Sequence, residues 1–272
     1  MKNVKIKPKY ALIFLLCLIM MVFELIPILK EMPITSDPLY NRLISLILPL
    51  ISGFAAIILI AKEFGLKLFK KPEKSWVLMI GFIIALDNFP WLAYSAGKMR
   101  LNAVNPLHFG LFGVYCILVG LFEEVLFRGV FFALLAGVFE RTRKGFLYTY
   151  VLSSVAFGAV HILNIFTSGP AAILQAGYSI LTGGLFAFVF IKTKNILFPA
   201  LIHAVYNFCG LLFTEYPGLG TGSIIDTPTA IMMAIISILV GIYVLHSVWK
   251  YPETERTELY NRLNLLDTAK EE

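Results

Sequence analysis

The sequence predicts an all-α, polytopic membrane protein: a helical bundle of about eight transmembrane helices with both termini in the cytoplasm. The first observation is composition, since 58% of the 272 residues are hydrophobic, only 15% are charged, and the mean hydropathy is +0.81. These values lie far outside the balance of a soluble domain. The second is a series of apolar runs of membrane-spanning length, and the third is an uneven distribution of Lys and Arg between them.

Eight apolar runs are long enough to cross a bilayer as helices. They are Tyr10–Leu29, Leu43–Ala61, Trp76–Ala96, Leu107–Phe139, Phe146–Phe166, Ala171–Ile191, Ile196–Phe213 and Thr229–Trp249. The first run follows several lysines, as in a signal peptide, but it continues to Leu29 without a small-residue cleavage site and is predicted to be a span. We therefore predict an integral membrane domain over 1–249, with a motif core at 107–213, and a cytoplasmic tail over 250–272.

The distribution of Lys and Arg predicts the orientation. If the N-terminus is cytoplasmic, the cytoplasmic segments hold 18 Lys and Arg residues and the opposite side holds 4. This positive-inside bias predicts a multi-pass protein of the cell membrane with cytoplasmic N- and C-termini. In such a protein the net charge of +6 matters mainly through where the Lys and Arg residues lie. The expected partner is therefore the lipid bilayer and not a nucleic acid.

Three formal charges, Glu123, Glu124 and Arg128, interrupt the fourth apolar run. A charge near the bilayer centre costs roughly 2.5–3.5 kcal/mol, so such residues are normally paired, face protein and serve a function. Glu124 and Arg128 are spaced to form an ion pair on one helix face, whereas Glu123 is rotated about 100° away. We interpret the pair as an internal clamp and Glu123 as the group available for chemistry. The run would be about 50 Å long as one helix, so it must tilt, break or project from the bilayer.

Two further polar pairs lie in predicted spans. Phe157 and His161 share a face of the fifth helix, and His203 and Asn207 share a face of the seventh. A lone membrane histidine usually makes an interhelical hydrogen bond. Two histidines beside a membrane carboxylate also supply what hydrolysis needs: a base for water, an imidazole to orient it, and donors for an oxyanion.

The three motifs, EExxxR at Glu123–Arg128, FxxxH at Phe157–His161 and HxxxN at His203–Asn207, together resemble the CPBP intramembrane protease family. That family includes CAAX prenyl endopeptidases and bacteriocin-processing or immunity proteins. The resemblance implies that Glu123 and His161 activate the attacking water and that His203 and Asn207 stabilise the oxyanion. Glu124, Arg128 and Phe157 would support the site. Outside this core the sequence shows no matching signature.

The resemblance leaves the cofactor open between none and Zn²⁺, because the family is described both as metalloproteases and as glutamate-dependent proteases. Glu123, His161 and His203 could provide three zinc ligands with an open position. The local HExxH spacing is absent, so a zinc site would depend entirely on tertiary convergence. We favour a metal-independent mechanism that uses glutamate and histidine.

The predicted function is an intramembrane endopeptidase that hydrolyses peptide bonds of membrane-associated or lipidated proteins or peptides. One alternative is a non-catalytic immunity or scaffold protein of the same fold, in which the charges form only a buried network. Another is a transporter or proton relay, since intramembrane Glu and His also mark ion paths. The sequence lacks the paired broken helices and internal symmetry of many transporters, which disfavours the second alternative.

The remaining polar residues and cysteines of the spans receive structural interpretations. Asp87 and Asn88 precede Pro90 in the third run, where a proline bends a helix and frees backbone carbonyls, so we favour a structural role over the alternative that they line the cavity. Cys17, Cys116 and Cys209 lie far apart in apolar runs with no CxxC pair, which predicts small core hydrophobes and gives no information about the redox compartment.

Overall fold

A computed structural model describes residues 34–63, 65–101, 105–139, 141–213, 220–222 and 227–263, and the first predicted span, Tyr10–Leu29, lies outside them. The helices are α1 Pro38–Glu63, α2 Val77–Asp87, α3 Trp91–Ser95, α4 Pro106–Glu124, α5 Phe132–Val138, α6 Arg143–Val160, α7 Ile165–Ser168, α8 Ala171–Thr193, α9 Leu197–Leu211, α10 Thr227–Trp249 and α11 Glu253–Arg262. A π-helical segment, Val125–Phe131, joins α4 to α5, and a 3-10 turn, His161–Asn164, follows α6. Two short strands, β1 Met99–Leu101 and β2 Gly220–Gly222, pair antiparallel.

The described part of the chain is mainly helical and contains 5 stretches that are long and apolar enough to cross a membrane. They are Pro38–Lys62, Pro106–Val138, Arg143–Asn164, Ala172–Thr193 and Ile231–Trp249, and two shorter apolar helices are Val77–Asp87 and Leu197–Leu211. The predicted helical membrane protein is confirmed at this level, apart from the small strand pair. The total of eight membrane spans and the cytoplasmic location of both termini remain predictions.

The third predicted span, Trp76–Ala96, is not one continuous helix. Helix α2 ends at Asp87, and α3 begins again at Trp91, directly after Pro90. Proline has no N–H to continue the helix and disfavours helical geometry in the residue before it, which explains the interruption. Asn88, at the end of α2, donates its side-chain N–H to the Tyr206 carbonyl at 2.8 Å and so fixes α2 against α9.

The fourth predicted span is continuous over 33 residues, Pro106–Val138, but changes its winding in the middle. Its start is well defined, because the Asn105 side chain accepts a hydrogen bond from the backbone N–H of Leu107, and Pro106 occupies the first turn. The helix does not break beside Glu123. It passes instead into the π-helical segment directly after Glu124. π-Helical segments are rare in proteins, and those that occur often lie at functional sites.

Small residues bring the helices of the bundle into close contact. Helix α4 packs between α1 and α9, and α6 packs along α8. A Cβ atom added to Gly120 of α4 would lie 2.5 Å from the carbonyl oxygen of Ala200 in α9. One added to Gly158 of α6 would lie 2.6 Å from the carbonyl oxygen of Ala176 in α8. Helices in a membrane associate largely through such close packing.

Gly158→Ala is expected to destabilise the protein by about 1–3 kcal/mol, because the new methyl group overlaps backbone that cannot move aside. The measurement is the thermal unfolding midpoint of purified protein in detergent. Gly113→Ala is the matched control: a Cβ atom there has no neighbour within 4 Å, and alanine favours a helix by up to about 1 kcal/mol. Equal midpoints for the two variants would contradict the close α6–α8 contact.

Helix α11 docks on the bundle through an ionic network and a buried face. Lys70 and Lys194 each bond both Glu73 and Glu258, with 2.7 Å between Lys70 Nζ and Glu258 and 2.9 Å between Lys194 Nζ and Glu73. Lys194 ends α8 in the left-handed conformation, with φ 53°, and its side chain is buried. The network therefore connects three parts of the chain: the segment before α2, the end of α8, and α11.

This network is expected to weaken in acid. Hydrogen bonds from Lys70 and Lys194 lower the pKa of Glu73 to about 2, from 4.5. A lowered pKa means that the contribution to stability is present above about pH 4.5 and is lost as the pH falls toward 2. A spin label on exposed Thr257, attached through Thr257→Cys, should become more mobile across that range, and Glu73→Gln should reduce the pH-dependent change. Constant label mobility down to pH 2 would contradict the assignment.

Candidate active site

A buried ion pair forms the base of the candidate site. Arg128 Nη1 lies 3.0 Å from Glu124 Oε1, and neither side chain is exposed to solvent. The i,i+4 spacing places both on one helix face even though the π-helical segment begins between them. Arg128 Nη2 also donates to the carbonyl oxygen of Gly183 in α8, at 2.7 Å. The pair therefore ties the fourth span to the centre of α8.

Aromatic rings surround the Arg128 guanidinium. Its Cζ lies 4.2 Å from the ring centroid of Phe157, 5.5 Å from that of Phe186 and 5.9 Å from that of Phe127. A desolvated cation over an aromatic face is attracted by the ring quadrupole. Gly183 makes room for this arrangement, since a Cβ atom there would lie 2.8 Å from Phe157 Cδ1.

His203 connects the ion pair to Glu123. Its Nδ1 lies 2.9 Å from Glu124 Oε1, and because a carboxylate only accepts, the imidazole donates its Nδ1–H. The ring stacks on Phe186, with 4.7 Å between centroids and 20° between planes. These contacts fix the ring so that Nε2 faces Glu123, whose Oε2 lies 3.9 Å away.

Glu123 is buried but only partly satisfied. The side chain of Glu123 is about 10% exposed, and its Oε2 has no hydrogen-bond partner among the described residues. The 3.9 Å to His203 Nε2 is too long for a direct hydrogen bond, and a water hydrogen-bonded to both groups would satisfy them. Glu124 Oε2 and Arg128 Nε are also buried without a partner there. The site has the polar groups needed to hold water.

His161 lies beside this cluster at the first position of the 3-10 turn and is half-buried. Its Nδ1 lies 2.7 Å from the Phe157 carbonyl oxygen, so Nδ1–H is the donor and Nε2 is left for other partners. The Phe157 ring contacts both histidines, with centroids 5.0 Å from His161 and 5.7 Å from His203. Phe157 therefore supports His161 through its carbonyl and Arg128 through its ring.

Asn207 lies one turn after His203 on α9 and is half-buried. The hydrogen bonds of Glu124, Arg128 and His203 described above do not include it. The structure thus brings His203 to both glutamates, places His161 against Phe157, and positions Asn207 further along the same helix.

Sequence reasoning missed two kinds of residue in this site. It assigned His203 to the oxyanion and to a possible zinc site but not to Glu124, which the ring bonds. It also overlooked Phe127, Gly183 and Phe186, which enclose Arg128. The Gly183-Gly184 pair inside an apolar run was the available signal, because adjacent glycines permit close backbone approach.

The candidate metal ligands do not form a zinc site in this arrangement. Among the residues that the structure describes, no group of three or more His, Cys, Asp or Glu side chains is placed to hold a metal ion. Glu123 and His203 approach each other, but His161 does not join them as a third ligand. We therefore derive no catalytic step through a metal.

Comparison with known proteins yields one finding. Residues 105–209 match the family model described as type II CAAX prenyl endopeptidase Rce1-like. No curated protein and no solved structure matches the chain. The matched segment begins at the N-cap of α4 and includes all three motifs, from Glu123 to Asn207. Residues 105–209 are therefore similar to the Rce1-like family, and the resemblance of this chain to the CPBP intramembrane protease family is confirmed.

Proposed function

We propose that this protein is an intramembrane endopeptidase that hydrolyses peptide bonds of membrane-associated or lipidated proteins or peptides. The observation that carries the proposal is the contrast between two adjacent carboxylates. Glu124 is paired with Arg128 and His203, whereas Glu123 has a buried oxygen with no hydrogen-bond partner among the described residues and faces His203 Nε2. A buried carboxylate without a structural partner is suited to act as a general base.

In the proposed reaction, Glu123 accepts a proton from a water held beside His203 or His161. The oxygen of that water attacks the carbonyl carbon of the scissile peptide bond, and the carbonyl becomes an oxyanion. Breakage of the C–N bond then returns the proton from Glu123 to the leaving nitrogen, giving an acid and an amine. Two groups are assigned to the oxyanion: the Asn207 amide and His203, whose ring is held in place by its hydrogen bond to Glu124.

Two observations support the proposed substrate class: the family match and the location of the site. The matched family model is that of prenyl endopeptidases, and the residues of the site lie in helices long and apolar enough to cross a membrane or packed among them. A substrate must therefore bring its scissile bond to the bilayer, which a lipid anchor or an apolar segment does. The Lys and Arg distribution supports a multi-pass protein of the cell membrane with cytoplasmic termini.

The proposal is tested with purified protein in liposomes and a panel of prenylated, unprenylated and leader-peptide substrates. Wild type should cleave at least one substrate class, while Glu123→Ala and His161→Ala should not. Equal cleavage by all three proteins would remove the catalytic assignment. If Glu123→Gln supports biological function fully and Glu124→Ala does not, the non-catalytic immunity or scaffold interpretation is correct instead.

A further inference from the structure

Helix α11 holds a buried cation, Arg256, whose only nearby carboxylate among the described residues is exposed. Arg256 is only 6% exposed, and its Nε and Nη1 atoms have no hydrogen-bond partner among the described residues. Its carboxylate neighbour is Glu253, 3.9 Å from Nη2, whose side chain is 84% exposed and therefore heavily screened. A guanidinium stays charged in proteins, and an unpaired buried charge is strongly unfavourable. Arg256 thus has donors that the described part of the chain leaves unused.

A second donor lies one turn along the same helix. The Tyr260 hydroxyl is buried beside the Thr149 side chain and makes no hydrogen bond of standard geometry among the described residues. Burial raises the pKa of Tyr260 to about 12, so at neutral pH the group remains a hydroxyl that can donate. Phe146 packs edge-on against the Tyr260 ring, with centroids 6.0 Å apart, and this contact holds the ring in place.

A second guanidinium, that of Arg141, lies near the Tyr260 side chain. The Cζ atom of exposed Arg141 lies 5.8 Å from the Tyr260 ring centroid, and both Arg141 and Arg256 act electrostatically on the Tyr260 hydroxyl. Two positive groups around one hydroxyl repel each other unless an anion lies between them. Arg141 is exposed and Arg256 is buried, so the cluster extends from the protein surface to its interior.

The position of this cluster indicates which anion it meets. Helix α11 begins four residues after Trp249, the last residue of the apolar helix α10, and the Arg143 guanidinium lies 5.6 Å from the Trp249 ring centroid. Tryptophan and arginine at the end of an apolar helix are typical of the membrane–water interface. Phosphate groups are the anions concentrated at that level, and arginine binds them particularly well.

We propose that Arg256, Tyr260 and Arg141 form a binding site for a phosphate group, separate from the peptidase site. The phosphate can come from the headgroup of an anionic phospholipid or from free inorganic phosphate. Its oxygens would accept hydrogen bonds from Arg256 and from the Tyr260 hydroxyl, and its charge would neutralise both guanidinium groups. Since α11 is held to the bundle by the Lys194–Glu258 contact, occupation of the site would further stabilise the docked helix.

The test is the thermal unfolding midpoint of the full-length, delipidated protein in neutral detergent, titrated with phosphatidic acid, inorganic phosphate or phosphatidylcholine. A ligand that binds the folded state raises the midpoint in proportion to its occupancy. We expect phosphatidic acid to raise the midpoint of wild type and phosphatidylcholine to leave it unchanged. If inorganic phosphate acts as well, the phosphate group alone is sufficient; if only phosphatidic acid acts, the ligand is the lipid headgroup.

Two variants and a matched control distinguish a specific phosphate site from nonspecific attraction of anions to the basic side chains. Arg256→Gln should weaken apparent phosphatidic acid binding by about tenfold or more, the effect of losing a charge-assisted hydrogen bond. Tyr260→Phe keeps the ring contact with Phe146 and should weaken binding severalfold, which keeps the test decisive if Arg256→Gln folds poorly. Arg143→Gln removes one charge from the same end of the bundle and should bind like wild type. Equal affinity in all four proteins, or no response to either phosphate source, would overturn the proposal.

Discussion

Glu123→Gln is expected to reduce kcat/KM for peptide hydrolysis by about 10²–10⁴-fold, the usual contribution of a positioned general base. Glutamine keeps the size and shape of the side chain but cannot accept a proton from water. The wild-type carboxylate has a buried oxygen with no hydrogen-bond partner among the described residues, 3.9 Å from His203 Nε2. The measurement is the initial rate of cleavage of whichever substrate wild type accepts, at matched protein concentration in liposomes.

Protein stability is the control for this result. Glu123 is not part of the Glu124–Arg128 ion pair, so Glu123→Gln should leave the thermal unfolding midpoint within about 2 °C of wild type, since less than about 1 kcal/mol is at stake. A large loss of activity at constant stability supports a catalytic role. Full activity would contradict it, and a parallel loss of both quantities would point to a purely structural carboxylate.

The local features of this site could be predicted because they depend on helix periodicity. A spacing of four residues is enough to place Glu124 beside Arg128, and the structure has that ion pair at 3.0 Å. Hydropathy alone located the long helices α1, α6, α8 and α10 to within a few residues. Cys116 and Cys209 are buried core residues, as their apolar surroundings predict.

The contacts that could not be predicted connect residues far apart in the chain. Glu124 and His203 are 79 positions apart, and nothing in either motif specifies which of the two glutamates the imidazole will bond. The same holds for Gly183 and Phe186, which reach Arg128 because α6, α8 and the fourth span pack closely at glycine positions. Hydropathy does not separate α2 from α3, because the composition is apolar on both sides of Pro90.

Glu124→Ala is expected to destabilise the protein by about 3–5 kcal/mol, the cost of leaving a buried charge without its partner. Arg128 is fully buried, and without Glu124 it would keep one carbonyl acceptor, Gly183, and its aromatic neighbours. The thermal unfolding midpoint should fall by on the order of 10 °C. Glu123→Ala, the same change one residue earlier, is the control and should leave the midpoint near that of wild type.

The double variant Glu124→Ala with Arg128→Met removes both charges and should recover part of the lost stability, because no buried charge is then left without a partner. Additive losses in the double variant would mean that the two side chains stabilise the fold independently, and the ion pair would no longer explain why α8 is held against the fourth span.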